Sequence, residues 1–137
     1  MPKIRGVLET SLYVSELERS RSFYTGRFEF PVMLQDERFC ALDVCGRQVL
    51  LLFKKAATGQ LPTPGGVIPP HGAEGGSIHV AFAVGRDDLD PWERRLAQGK
   101  IQVESRVEWP RGGKSIYFRD PDGHLIELAA PGLWHIY

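Results

Sequence analysis

Residues 7–14 alternate between two sets of side chains, the period of two that is typical of a β-strand with one buried face. One set is Leu8, Thr10, Leu12 and Val14, and the other is Val7, Glu9, Ser11 and Tyr13. The pattern then changes to a helical period, which predicts an amphipathic helix with Ser15 as its N-cap. The residues at helical spacing are Leu17, Arg21, Tyr24 and Phe28, with Phe23 beside them.

Three short β segments follow this helix, at residues 30–35, 38–44 and 48–54, with Gly46-Arg47 as the last hairpin turn. Residues 55–76 differ because Gly and Pro dominate and no periodicity survives. We interpret them as a structureless linker, and loops of this length in small domains often act as lids. His71 lies in this segment, and a lid would bring it over a site, although a free loop histidine is the simpler reading.

The second half repeats the order of the first. A strand at 77–84 leads into a helix at 87–98 that ends at Gly99, and strands follow at 101–107, 115–119 and 125–129. The pattern therefore predicts an α+β fold of two βαβββ modules, an internal duplication within one domain of residues 1–137. Module one covers 7–54, the linker 55–76, module two 77–131 and an apolar C-terminal tail 132–137. Each sheet would have one face covered by its helix and the other curved and open.

Alternation also predicts which side chains line the open faces. In the strand at 77–84, one face carries the small or polar set Ser77, His79, Ala81 and Ala83. Glu9 and His79 each precede the closing valine of their strand by five residues, and Glu127 lies on the last strand. Carboxylate oxygens and one imidazole nitrogen suit a divalent metal, so these three residues are candidate ligands. The structural alternatives are a salt bridge for Glu9, an ion pair for Glu127 and a hydrogen-bonded core histidine for His79.

Composition and charge exclude some classes of function. The 137 residues contain 17 Lys and Arg and 17 Asp and Glu, so the balanced charge offers no footprint for nucleic acid or an anionic membrane. No apolar run approaches the length of a membrane-spanning helix, and the first residues lack a signal-peptide core. Cys40 and Cys45 are too far apart along one strand region to bond locally, which favours two buried, reduced thiols and a cytoplasmic location.

Two segments resemble the vicinal-oxygen-chelate superfamily, which includes glyoxalases, fosfomycin-resistance thiol transferases, extradiol dioxygenases and bleomycin-resistance proteins. Residues 14–24, VSELERSRSFY, are similar to its first strand-helix junction, and residues 117–128, YFRDPDGHLIEL, are similar to its last hairpin. The resemblance implies paired βαβββ modules that form a cup around a divalent metal. It also implies metal ligands on the first and last strands of each module.

Carried over residue by residue, the resemblance places metal ligands at Glu9, His79 and Glu127. Aligning the halves on Gly46 and Gly123 puts Leu50 opposite Glu127, and leucine cannot ligate a metal. A three-ligand site is thereby implied, as in the thiol transferases and dioxygenases, with Glu9 where those enzymes have a histidine. Mn, Fe, Ni, Zn and Mg all suit such ligands.

Further residues are candidates for substrate contacts. The resemblance matches Tyr117 to a tyrosine that faces the metal, which would orient substrate or donate a proton, and it makes Glu127 catalytic as well as metal-binding. Trp109 and Arg111 lie on a hairpin predicted near the cup mouth, where Arg111 would meet an anionic substrate unless it is simply solvated. Ser11 shares the open face with Glu9. His124, directly after the turn Asp120 to Gly123, is predicted to be solvated.

These residues predict a metal-dependent enzyme with glyoxalase-like or thiol-transferase-like lyase, isomerase or transferase activity on a small oxygen-rich molecule. Two alternatives remain: a metal-free protein that binds a drug or another small molecule, as bleomycin-resistance relatives do, and an extradiol dioxygenase. The resemblance also implies a homodimer with sites possible between subunits, so that Glu9 would come from either chain. The apolar tail at 132–137 is predicted to dock on the body of the protein or on a second subunit.

Overall fold

The structure, a computed structural model, describes residues 3, 5–55, 61–63, 66–68 and 76–137. It divides into two compact units, residues 1–76 and 77–137, and each contains one βαβββ module, which confirms the predicted fold class and duplication. The first module consists of β1 Glu9–Val14, α1 Leu17–Phe28, β2 Val32–Gln35, β3 Phe39–Val44 and β4 Gln48–Lys54. Two short strands follow, β5 Leu61–Thr63 and β6 Gly66–Ile68. The second module consists of β7 His79–Ala83, α2 Leu89–Gln98, β8 Ser105–Glu108, β9 Lys114–Arg119 and β10 Leu125–Ala129.

The sheet of the first unit has the strand order β1-β4-β3-β2, in which β1 and β4 are parallel and the other pairs antiparallel. Helix α1 packs against β3 and β4. The core contains the fully buried Leu12, Leu50 and Leu52 from the strands and Tyr24 from the helix. The alternation of β1 therefore has its predicted effect, because Leu12 and Val14 are buried while Glu9 is exposed.

The sheet of the second unit repeats this topology with the order β7-β10-β9-β8, and β7 and β10 are its parallel pair. A short 3₁₀ turn, Arg86–Asp88, precedes α2, so the helix begins two residues later than predicted, and Gly99 follows its last residue as expected. Leu89 and Leu96 of this helix are buried. Among the described residues, no helix combines the length and apolar character needed to span a membrane.

The structure differs from the prediction at the N-cap of α1 and at Cys45. The N-cap of α1 is Glu16 rather than Ser15, because the helix begins at Leu17, and it has no side-chain capping bond. Cys40 is buried in β3 as predicted, whereas Cys45 is exposed, because it lies in the turn after β3 with a φ of 57°. The prediction of a buried Cys45 is therefore wrong.

The linker between the modules contains regular structure that the sequence did not predict. Strands β5 and β6 pair antiparallel, with Leu61 opposite Ile68 and Thr63 opposite Gly66. The prediction of a structureless segment is wrong here because three-residue strands pair through backbone groups and leave too few residues for a periodic pattern. His71 lies outside the described residues, as do the other parts of the segment proposed as a lid at 56–60, 64, 65 and 69–75, so the lid stays a prediction.

The strand registers of the two sheets allow their residues to be matched, and this match corrects the alignment of the two halves on Gly46 and Gly123. In the second unit, His79 is opposite Leu125 and Ala81 is opposite Glu127. In the first unit, Glu9 is opposite Val49 and Ser11 is opposite Leu51. Glu9 and His79 are the first residues of β1 and β7. With these two residues aligned, the counterpart of Glu127 is Leu51 rather than Leu50, which faces the core and is 1% exposed. The alignment on glycines was wrong by one residue, although a leucine occupies the position in either alignment.

Candidate metal site

The centre of the candidate site is a contact between His79 on β7 and Glu127 on β10. The imidazole Nε2 lies 3.1 Å from Glu127 Oε2, and the side chains are 49% and 6% exposed respectively. The other ring nitrogen, Nδ1, lies 3.0 Å from the carbonyl oxygen of Leu125. A carbonyl oxygen only accepts hydrogen bonds, so Nδ1 carries the hydrogen and the Nε2 of a neutral ring points its lone pair at the carboxylate.

Two facing lone pairs repel unless a proton or a cation lies beside both atoms. Ligands held about 2.0–2.2 Å from a metal at right angles are themselves roughly 3 Å apart, which fits the spacing of Nε2 and Oε2. A hydrogen bond from the second ring nitrogen to a backbone carbonyl is also the usual support of a metal-binding histidine. The same spacing suits an imidazolium–carboxylate ion pair. The donor set therefore fits a divalent metal without requiring one.

Tyr117 on β9 completes this group of side chains. Its hydroxyl donates a hydrogen bond of 3.0 Å to Glu127 Oε1, and its ring centroid is 6.2 Å from that of His79. Burial raises the pKa of the Tyr117 hydroxyl, and its hydrogen bond to Glu127 and the charge of that carboxylate raise it further. The phenol therefore remains a donor at neutral pH. The two oxygens of Glu127 have different partners, Tyr117 for Oε1 and His79 for Oε2.

The site residues predicted from the sequence are only partly brought together. Within residues 77–137, all of which the structure describes, no group of three His, Cys, Asp or Glu side chains forms a metal site. Of the three predicted metal ligands, this unit contains two, His79 and Glu127. Glu9 lies exposed at the start of β1 in the other unit, and Ser11 lies half-buried on the same strand. Their participation stays a prediction.

Trp109 lines a cavity of about 530 Å³ together with His79, Tyr117 and Glu127. Its indole Nε1 donates a hydrogen bond of 2.9 Å to Ser115 Oγ, which holds the ring in place. Arg111 is exposed on the same hairpin turn and is not among the residues that line this cavity. A contact between Arg111 and a substrate also stays a prediction.

His124 is buried, so the prediction that it is solvated is wrong. It is 1% exposed, and its Nδ1 accepts a hydrogen bond of 3.0 Å from the backbone N–H of Ile78. The neighbouring Leu125 donates its own N–H to the carbonyl of Ile78. Both backbone groups of Ile78 are therefore paired with the start of β10, which fixes β7 and with it the adjacent His79.

The turn before His124 follows the sequence prediction. Asp120 Oδ1 accepts hydrogen bonds from the N–H groups of Asp122 and His124, each at 2.9 Å. Gly123 has a φ of 83°, a conformation that glycine adopts without strain. The turn thereby directs the residue after the glycine inward, and a histidine directly after an Asp-Pro-Asp-Gly turn was the available signal of its role.

Comparison with known proteins agrees with this architecture. The family model described as the Glyoxalase/Bleomycin resistance protein/Dioxygenase superfamily matches residues 6–128. The chain belongs to this superfamily. The metallothiol transferase FosB of Lysinibacillus sphaericus is 31% identical over 116 residues, which are 84% of this chain and 74% of that protein. FosB of Bacillus licheniformis is 30% identical over 127 residues, 92% of this chain and 75% of the relative.

Solved structures of superfamily members show the same fold. The crystal structure of lactoylglutathione lyase from Agrobacterium tumefaciens matches with a TM-score of 0.87 and 32% identity, over 98% of this chain and 99% of that one. The fosfomycin resistance protein FosX from Listeria monocytogenes matches with a TM-score of 0.69 and 20% identity, over 93% of this chain and 94% of the other. At that identity the second match supports the fold alone. The named relatives at 30% identity or more are enzymes.

Proposed function

We propose that this superfamily member is a metal-dependent enzyme of the thiol-transferase type, acting on a small oxygen-rich molecule with His79, Glu127 and Glu9 as metal ligands. The observation that carries the proposal is the paired orientation of His79 Nε2 and Glu127 Oε2, with Nδ1 held by a backbone carbonyl. The thiol-transferase assignment is supported by the two metallothiol transferases at 30–31% identity.

Lewis-acid activation of two adjacent substrate oxygens is the chemistry that a divalent metal, whether Mn, Fe, Ni, Zn or Mg, would supply in this position. The chain's own residues would hold the metal-binding side chains and orient them. The Leu125 carbonyl fixes the imidazole, and the Tyr117 hydroxyl fixes the carboxylate. Because Tyr117 remains protonated, it would also be placed to donate a hydrogen bond to a bound substrate.

Glyoxalase-like lyase activity is the second candidate, and one observation favours it. The lactoylglutathione lyase structure matches nearly the whole of both chains at 32% identity. The metal site and its test are the same for both candidates.

We further propose a homodimer and a cytoplasmic location, the latter supported by two cysteines that are both free thiols.

The test of the metal site is elemental analysis of protein purified without chelators or a metal-binding tag. We expect near-stoichiometric divalent metal in the native protein and its loss in His79→Ala and Glu127→Gln. Glu9→Gln is expected to lower the metal content as well. The control is Glu108→Gln on β8, whose side chain is 82% exposed. Absence of metal after incubation with Mn, Ni, Zn and Fe would contradict the proposal and favour metal-free ligand binding.

The contribution of Tyr117 is tested separately by Tyr117→Phe, which removes only the hydroxyl. We expect metal affinity to weaken roughly 10- to 100-fold, the usual effect of losing a group that orients a ligand. Little change in thermal stability is expected, because the half-buried ring remains in place. Calorimetric titration with metal measures the affinity of the native protein and of the variant. An unchanged affinity would show that the Tyr117–Glu127 hydrogen bond does not support the metal site.

A further inference from the structure

The cavity beside His79 and Glu127 has one polar end and an otherwise apolar lining. Its volume is about 530 Å³, within the range of sites for small molecules. Small side chains line one part, Ala81, Ala83 and Ala129, and leave room for a ligand. Among the described residues that line it there is no Lys or Arg, and His79 and Glu127 contribute an imidazole and a carboxylate. These described residues offer no cationic Lys or Arg side chain as a counterion for a phosphate or carboxylate tail.

The C-terminal segment 131–137 forms one wall of this cavity through Leu133, Trp134 and Tyr137. The Tyr137 hydroxyl donates a hydrogen bond of 2.9 Å to the carbonyl of Val84, just beyond the end of β7. The backbone of the segment also closes on itself, since the N–H of Gly132 donates to the Tyr137 carbonyl at 3.0 Å. The tail therefore contacts the body of the protein through Tyr137, while Trp134 and Ile136 are 69% and 81% exposed.

Close backbone packing anchors the other end of this segment. Gly132 lies against Gly113 of the β8–β9 turn, and a Cβ on either residue would overlap the backbone of the other. Gly132 also has a φ of 119°, a conformation that favours glycine. Two glycines therefore allow the segment to follow the mouth of the cavity from the β8–β9 turn to the end of β7.

We propose that Trp109, Trp134 and Tyr137 form an aromatic wall that selects substrates with an aromatic or flat apolar group next to the two metal-binding oxygens. This inference rests on the proposed metal site. Flat aromatic ligands stack on indole and phenol rings and gain affinity beyond simple burial. Trp134 is 69% exposed, so a ligand that covers its ring would remove apolar surface from water.

The test compares two hydroxamates, acetohydroxamate and benzohydroxamate, as probes of the Mn²⁺-supplemented protein. Both present two adjacent oxygens to a metal, and they differ only in a methyl or a phenyl group. We expect benzohydroxamate to bind about tenfold more tightly than acetohydroxamate, measured by calorimetry. Trp134→Ala should reduce this ratio toward one.

The matched control is Ile136→Ala, because Ile136 is an apolar residue of the same segment that is 81% exposed and does not line the cavity. It should retain the native ratio. Equal binding of the two hydroxamates, or a ratio unaffected by Trp134→Ala, would overturn the aromatic wall alone. Binding of neither hydroxamate would overturn both the metal site and this inference. Melting curves confirm that each variant is folded.

Discussion

Glu127→Leu is expected to make the metal-free protein more stable while removing its metal affinity. Glu127 is 4% exposed, and a carboxylate in such a place has lost most of its hydration. The first unit has an apolar residue at the position equivalent to Glu127. This residue is Leu51, which lies opposite Ser11 on β1 and Ala41 on β3. A leucine is therefore compatible with the same place in the same strand topology.

The expected gain is about 1–2 kcal/mol, at the low end of the range for replacing whole buried ion pairs by apolar residues, because only the carboxylate of this pair is buried. It would raise the melting temperature by roughly 3–8 °C. The partners of Glu127 would not become buried and unpaired, since the His79 side chain is 49% exposed and Tyr117 is only half-buried. Water can replace the carboxylate for both groups.

Thermal melts of the metal-free proteins measure the stability change, and metal titrations measure the loss of affinity, expected to exceed about 100-fold. Glu127→Gln is the matched variant, because it removes the charge without adding apolar volume and should gain less stability. A Glu127→Leu protein that is less stable than the native one would show that the ion pair with His79 stabilises the fold.

Much of the fold was predictable because the information is local. Alternation in residues 7–14 and 125–129 predicts one strand of each module and the side chains of that strand that share a face. The pairing of His79 with Glu127 was predictable too, since both residues lie on the face that alternation assigned to the site. The order βαβββ then repeats with little change in spacing.

What could not be predicted depends on contacts between distant segments. The correspondence of Leu51 with Glu127 follows from the register of β1 with β4, and turn residues such as Gly46 and Gly123 do not determine that register. The C-terminal wall depends on the Gly113–Gly132 contact, which joins residues with no shared local pattern. The sequence indicated an apolar tail but not the surface it covers.

His124→Ala is expected to cost about 3–5 kcal/mol of stability, the largest loss that we predict for a single side chain. The substitution leaves a cavity in a fully buried position and removes the acceptor of the Ile78 N–H, and both effects are destabilising. Chemical denaturation measures the loss. His135→Ala is the control, since His135 is exposed and its replacement should change stability by less than about 0.5 kcal/mol.

His124→Asn distinguishes the hydrogen bond from packing, because the asparagine Oδ1 can take the place of Nδ1 as acceptor for the Ile78 N–H. We expect it to recover roughly half of the lost stability. Hydrogen exchange of the Ile78 amide should be fast in His124→Ala and slow again in His124→Asn. Because Ile78 precedes His79, metal affinity of the folded variants should follow the same order. An Ile78 amide that stays protected in His124→Ala would show that strand pairing alone fixes β7, and that His124 contributes only packing.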